Sequence, residues 1–271
     1  MEPNVRSREK IKPIGEQLRA WRQLRRLSQM DLALDAGIST RHLSFIETGR
    51  SKPSREMLAL LAEQLDVPLR ERNLLLLAGG FAPAYAERPL DHPDLAAARA
   101  AVERVLDAHD PFPALAVDRA WNLVAANRAA AGLIAGAAPE LRVEPVNVLR
   151  LSLHPQGLAP AIRNLGEWKE HLIERVRRQA ATSGDPRLLA LLEELSGYDA
   201  PARTDGGFDD TAGLYVPLRL ATLAGELDFF STTTVFGTPL DVTLSELAIE
   251  AFFPANAQTA QRLRRLAASD A

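Results

Sequence analysis

Between Ile14 and Gly80, apolar residues recur at helical spacing in five short runs separated by residues that stop or restart a helix. Ile14, Leu18, Trp21 and Leu24 form the first stripe, with Arg19, Arg22, Arg25 and Arg26 between and beside them. Ser28 opens the second: its hydroxyl can cap, and Asp31 three residues on completes a capping-box-like pair ahead of Leu32, Ala33 and Ala36. Gly37 ends it, because glycine takes the left-handed conformation of a sharp turn without a Cβ penalty. Ser39 opens the third helix, with Leu43 and Ile46 on its inner side and Gly49 at its end. Pro53-Ser54 restarts the chain into a fourth stripe of Leu58, Leu61, Ala62 and Leu65. Val67-Pro68 breaks that stripe, and a fifth helix runs to Gly79-Gly80. This pattern predicts an all-α five-helix domain over residues 1–80.

The stretch Phe81 to Pro93, with Pro83, Pro89 and Pro93, reads as a linker over residues 81–93. Residues 94–271 then change character. A helix is expected from Asp94 to His109, followed by strands at Ala114 to Asp118 and Trp121 to Ala126 around a tight Arg119-Ala120 turn. Asn127 is placed to cap a helix ending near Ala135, and further helices are expected at Ala161 to Thr182 and Pro186 to Leu195. Three β-rich segments follow, Leu214 to Leu223, Glu226 to Phe236 and Leu247 to Phe253, and then a terminal helix from Asn256 to Ala268. Val216, Leu218 and Leu220 alternate with Pro217, Arg219 and Ala221, as in a sheet with one buried face. Two early strands, intervening helices and three late strands predict an α+β domain with one antiparallel sheet.

Charge divides unevenly between the two parts. Residues 1–85 carry fourteen Lys and Arg against ten Asp and Glu, while the remainder carries eighteen against twenty-five. A basic end joined to an acidic remainder is what a nucleic-acid-binding module attached to a second domain would show. No apolar run approaches the roughly 18 residues of a spanning helix, so no membrane partner is expected. Met1 to Lys10 lacks the apolar core of a secretion signal, which makes the cytoplasm the expected location. The absence of cysteine removes disulfides and thiolate metal sites.

The run Leu27-Ser28-Gln29-Met30-Asp31-Leu32-Ala33, then Ala36-Gly37-Ile38-Ser39, Ile46-Glu47-Thr48-Gly49-Arg50 and Lys52-Pro53-Ser54, closely resembles the lambdoid-repressor or XRE family of helix-turn-helix domains. In such a module the recognition helix, here the one that Ser39 opens, presents side chains to base edges in the major groove. Leu43 and Ile46 face inward, which leaves Thr40, Arg41, Ser44 and Phe45 facing outward. Arg41 suits a bidentate pair with guanine and Phe45 a thymine methyl, the alternative for Phe45 being packing against a neighbouring helix. Arg50 and Lys52 suit phosphates, or else form a solvated loop. The resemblance further implies that Gln29 binds a phosphate and that Arg22 and Glu47 form a buried ion pair, against the alternative of two surface charges.

Asp118-Arg119 and Trp121-Asn122 followed by Ala126-Asn127 echo the opening of PAS-like sensor domains. More specifically, Arg41-His42-Leu43-Ser44, Pro53-Ser54-Arg55-Glu56-Met57, Val67-Pro68-Leu69-Arg70-Glu71-Arg72-Asn73 and Glu250-Ala251-Phe252-Phe253-Pro254-Ala255 resemble the MmyB-like transcription regulators. That resemblance implies an XRE-type domain joined to a PAS-like ligand-binding domain that accepts a small lipid-like or fatty-acid-like molecule. The expected partners are a palindromic double-stranded DNA operator, a second copy of the chain and that ligand. Inward-facing strand residues Val117, Leu123, Leu218, Leu220, Phe229 and Ile249 are the candidate pocket walls, although a closed apolar core would use the same residue types. The alternative is a C-terminal domain that serves dimerisation or protein interaction without a small ligand.

Catalytic signatures are missing: there is no G-x-S-x-G, no phosphate loop, no H-E-x-x-H and no G-x-G-x-x-G. The histidines at 42, 92, 109, 154 and 171 are scattered. Glu167, His171 and Glu174 align on one helix face, but Arg175, Arg177 and Arg178 lie close by and no second cluster offers further ligands, so a solvated face is the expectation. Asp209-Asp210 reads as polar loop. No enzyme activity, cofactor or metal is expected.

Overall fold

A computed structural model of the chain describes residues 12–201 and 215–269. The polar lead Met1 to Lys10, Leu214 at the head of the first late strand, and Asp209-Asp210 lie outside the described residues. The chain divides into two compact units, Met1–Glu87 with Leu240–Val242, and Arg88–Pro239 with Thr243–Ala271.

The first unit holds α1 (Ile14–Leu24), α2 (Gln29–Asp35), α3 (Thr40–Glu47), α4 (Arg55–Gln64) and α5 (Leu69–Ala78). Serine begins three of them. The Ser28 hydroxyl accepts from the Asp31 amide at 3.1 Å while the Asp31 carboxylate accepts from the Ser28 amide at 3.0 Å, a full capping box on α2. Ser39 caps α3 and Ser54 caps α4 in the same way, accepting from the amides of His42 and Met57. Leu18, Leu32, Leu43, Ile46, Leu58, Leu61, Leu65 and Leu75 meet as a buried core. Gly15 lets α1 approach the end of α3: a Cβ there would lie 2.4 Å from the Ile46 carbonyl oxygen. Within α5, the buried Asn73 side chain accepts from the amides of Ala84 and Tyr85 and donates to the Tyr85 carbonyl at 2.7 Å.

The second unit contains α6 (Ala96–Ala108), β1 (Ala114–Val117), β2 (Leu123–Ala126), α7 (Arg128–Ala135), α8 (Val148–Leu153), α9 (Leu165–Ser183), α10 (Pro186–Ser196), β3 (Leu218–Thr222), β4 (Gly225–Val235), β5 (Ala248–Pro254) and α12 (Ala257–Ser269); the single turn α11 (Val242–Ser245) precedes β5. The strands form one antiparallel sheet in the order β2-β1-β5-β4-β3, a PAS-like α+β arrangement. Strand side chains alternate between faces. On one face Ala114, Ala116 and Ile249 pack against Val102 and Leu106 of α6. On the other, Leu218, Leu220, Leu227 and Phe229 meet Trp168, Leu172 and Val176 of α9 and Leu188, Leu191 and Leu195 of α10. Asn127 caps α7 and also ties α6 to β1: its oxygen accepts from Ala130 and Ala114, and its nitrogen donates to the Leu106 and Phe112 carbonyls.

Two local features depart from the sequence expectation. Trp121, expected within the second strand, sits in the turn before β2 with φ +66°, and its ring turns inward. Asp118 holds that turn by accepting from the Ala120 and Asn122 amides, both at 2.8 Å. The helix α8 was not anticipated, because Leu149, Leu151 and Leu153 alternate as strand residues do. Asn147 decides for helix: its oxygen accepts from the Arg150 amide and its nitrogen donates to the Ala120 carbonyl.

Candidate nucleic-acid interface and ligand cavity

α2, the Gly37 turn and α3 form the helix-turn-helix. Leu43 and Ile46 are fully buried, so the opposite side of α3 is turned outward. Thr40 and Arg41 are exposed there, and Ser44 and Phe45 are half-buried. The Arg41 guanidinium lies 5.3 Å from the Phe45 ring centroid and that of Arg50 lies 6.0 Å away, so two cations neighbour one aromatic ring. The loop after α3 folds back on it, with the Arg50 and Ser51 amides both donating to the Phe45 carbonyl. Arg50 and Lys52 are exposed in that loop.

Beneath this surface, Arg22 Nε donates to Glu47 Oε1 at 2.7 Å and Nη2 to Oε2 at 2.9 Å, while Nη1 reaches the Leu27 carbonyl at 2.8 Å. Both residues are buried. Gln29, which sequence reasoning placed on a phosphate, donates its side-chain amide to Glu47 Oε2 at 2.7 Å. Burial opposes ionisation of Glu47, but the hydrogen bonds from Arg22 and Gln29 and the charges of Arg22 and Arg19 outweigh it and hold its carboxyl below the usual range. The hydrogen bond that Arg22 donates to Glu47 in turn raises the Arg22 pKa against the opposing effect of burial.

The second unit contains a partly open cavity of about 80 Å³ between the inner sheet face and the helices. Leu218 and Leu220 of β3 and Phe229 of β4 line it, with Leu115, Trp121, Leu133, Trp168, Leu172 and Phe252. Its polar groups are Arg175, Glu250, Ser152 and Ser231. The structure thus brings together three of the six anticipated wall residues. Ile249 lies on the opposite sheet face against α6, Val117 is buried in the adjoining core, and Leu123 packs beside Ala137, Val146 and Leu151. The period of two explains Ile249: with Phe252 facing the cavity, Glu250 does too and Ile249 cannot. Glu250 and Arg175 escaped sequence reasoning. A lone acid inside the apolar run Ile249 to Phe253 was the available signal.

On α9, Glu167 accepts from Asn164 at 3.1 Å, Glu174 pairs with Arg177 and Arg178, and His171 stacks on Trp168 at 5.4 Å. Burial, then the charges of Arg175 and Arg178, lower the His171 pKa against the weaker pull of Glu250 and Glu167. Among the described residues no group of three or more His, Asp or Glu side chains is disposed to hold a metal ion.

Two family models match the sequence: a helix-turn-helix model over residues 18–72, and the ligand-binding domain of MmyB-like transcription regulators over residues 98–266. No curated protein matches the chain. A solved structure described as an RNA-binding light-oxygen-voltage receptor aligns with 95% of this chain at 13% identity and a TM-score of 0.23, and the chain spans 63% of that protein's length.

Proposed function

The chain belongs to the MmyB-like family of transcription regulators, DNA-binding proteins with a ligand-binding C-terminal domain, and we propose that it is a one-component switch in which a small apolar, lipid-like ligand controls operator binding. Thr40, Arg41, Ser44 and Phe45 read base edges, with Arg41 on guanine, while Arg50 and Lys52 grip phosphates. Gln29 fits a phosphate role despite its bond to Glu47. A side-chain amide nitrogen carries two hydrogens, so one is held by Glu47 and the other is directed to a phosphate oxygen. Two copies bind a palindromic operator, since a two-fold protein matches half-sites about one helical turn apart.

The observation that carries this reading is the pairing, in one chain, of an exposed α3 face bearing Arg41 with a domain whose apolar cavity has polar groups confined to a few positions. Selection of bound sequences from a random DNA pool by the full chain tests the first half. A palindromic consensus is the expected result, and recovery of unselected DNA overturns it. Denaturing mass spectrometry of the purified protein tests the second half, with a stoichiometric small apolar compound expected.

The cavity volume favours one alternative. At about 80 Å³ it is smaller than the roughly 150 Å³ cavity that admits one benzene. A lipid-like ligand therefore requires the walls to move apart, whereas a dimerisation or protein-interaction module needs no such movement. A thermal shift with apolar compounds supports the ligand reading, and its absence across chain lengths supports the interaction module.

A further inference from the structure

Among the described residues, one stretch of strand edge in the second unit's sheet has nothing paired to it. We propose that β4 pairs there with β4 of a second copy of the chain, joining two sheets edge to edge; this deepens the two-copy reading above and rests on it.

β4 outruns its neighbour: the pairing of β3 stops at Leu218 opposite Phe229, while β5 flanks β4 on to Val235 opposite Ala248. Backbone groups along an antiparallel strand point alternately to one side and the other. Thr222 and Gly225 close the Leu223-Ala224 turn as a hydrogen-bonded pair, so the odd-numbered residues of β4 point to the β3 side. The Ala255 amide donates to the Asp228 carbonyl at 2.8 Å, which directs the even-numbered ones to β5. The amides and carbonyls of Ser231, Thr233 and Val235 therefore face the open edge, and none has a partner among the described residues. The neighbouring edges are treated differently. Along β3 the Arg163 amide donates to the Arg219 carbonyl at 2.8 Å, and along β2 the Leu123 amide donates to the Val146 carbonyl at 2.7 Å. An open edge is a template for another strand, and proteins that avoid such pairing place lysine, proline or another charge on it. Phe230-Ser231-Thr232-Thr233-Thr234-Val235 carries none of these, and its last four residues are exposed. The occupant is a second copy because the edge has no charge to select a foreign peptide, yet it complements itself. A two-fold axis at Thr233 or Thr234 sets threonine against threonine, a favourable cross-strand pair, and brings Val235, 62% exposed, into the joined sheet.

The test is analytical ultracentrifugation of the full chain without DNA over a range of concentrations, with hydrogen exchange read by mass spectrometry on the peptide spanning residues 230–235. A dimer with slow exchange in that peptide is the expected result. Thr232→Lys and Thr234→Lys set like charges against each other across the axis from exposed positions, and Val235→Pro removes an amide that bonds to nothing among the described residues. Thr233 is left unchanged because its hydroxyl accepts from Arg175 and donates to Glu250. Each variant should raise the dimer dissociation constant at least about tenfold and speed exchange in the peptide. Leu223→Lys adds the same charge in the fully exposed β3–β4 turn and should do neither. A native dimer with fast exchange at 230–235, or one that the edge variants leave intact, overturns the edge inference while the two-copy reading stands. A chain monomeric at every concentration overturns the edge inference too, and a selected DNA consensus without two-fold symmetry overturns the two-copy reading as well. Because the native protein alone can decide against the edge, the test stands even if a variant fails to fold.

Discussion

Arg22 of α1 and Glu47 at the end of α3, 25 residues apart, meet through two parallel hydrogen bonds at 2.7 and 2.9 Å inside the helix-turn-helix. The pair clamps α1 to α3, and Gln29 joins it from α2. One carboxylate thereby ties three of the five helices together.

Glu47→Ala should destabilise the first unit by roughly 3–5 kcal/mol, because the change strands the Arg22 charge in a buried site. Urea unfolding of the full chain, followed by far-ultraviolet circular dichroism, reads the loss. An unaltered transition would show that the pair contributes nothing to stability.

Acid should weaken the same unit. The folded-state pKa of Glu47 is depressed, so its contribution is complete above the unfolded glutamate value of about 4.3 and fades as pH falls through the lower folded value. Glu47→Gln resembles the protonated form. The stability gap between native protein and this variant should therefore narrow as pH drops from 6 toward 3 on the order of that titration, and a gap of constant size contradicts the assignment.

Gly15→Ala inserts a methyl 2.4 Å from the Ile46 carbonyl oxygen and 2.6 Å from that of Glu47. Both atoms are backbone and cannot rotate aside. Overpacking of this kind costs about 1–3 kcal/mol, and a lowered melting temperature is the expected reading.

Arg41→Ala should remove sequence preference while leaving the salt-dependent background of phosphate binding. The expected loss on the preferred operator is about 1–3 kcal/mol, with little change on unrelated DNA. Equal losses on both would place Arg41 on the phosphate backbone instead.

Phe229→Ala enlarges the cavity from its sheet side. Phe229 is fully buried, so the stability cost should be roughly 3–5 kcal/mol. Saturating benzene should recover part of it if the new space joins the existing cavity, which a thermal shift measures.

The helices of the first unit were legible because their signals are local. Ser28, Ser39 and Ser54 each cap a backbone amide three residues on, and Gly37 turns at φ +64°; both effects act within one turn of chain. The outward set on α3 followed from the burial of Leu43 and Ile46 by period alone. Leu218, Leu220 and Phe229 were found at the cavity for the same reason, through strand alternation.

What the residues could not settle locally was which face of β5 looks inward. Either phase of Ile249 to Phe253 presents apolar side chains, and only pairing with β1 and β4, with α6 packed on the outer side, puts Ile249 out and Glu250 in. The meeting of Arg175 with Glu250, 75 residues away, depends on that choice. By itself the sequence determined the five-helix module, its outward face and the antiparallel α+β class, since caps, turns and periodicity act over a few residues. Only the tertiary structure decided where the cavity lies and that Arg175 and Glu250 in its wall pair with each other, because those depend on contacts that close long loops and on no nearby residue.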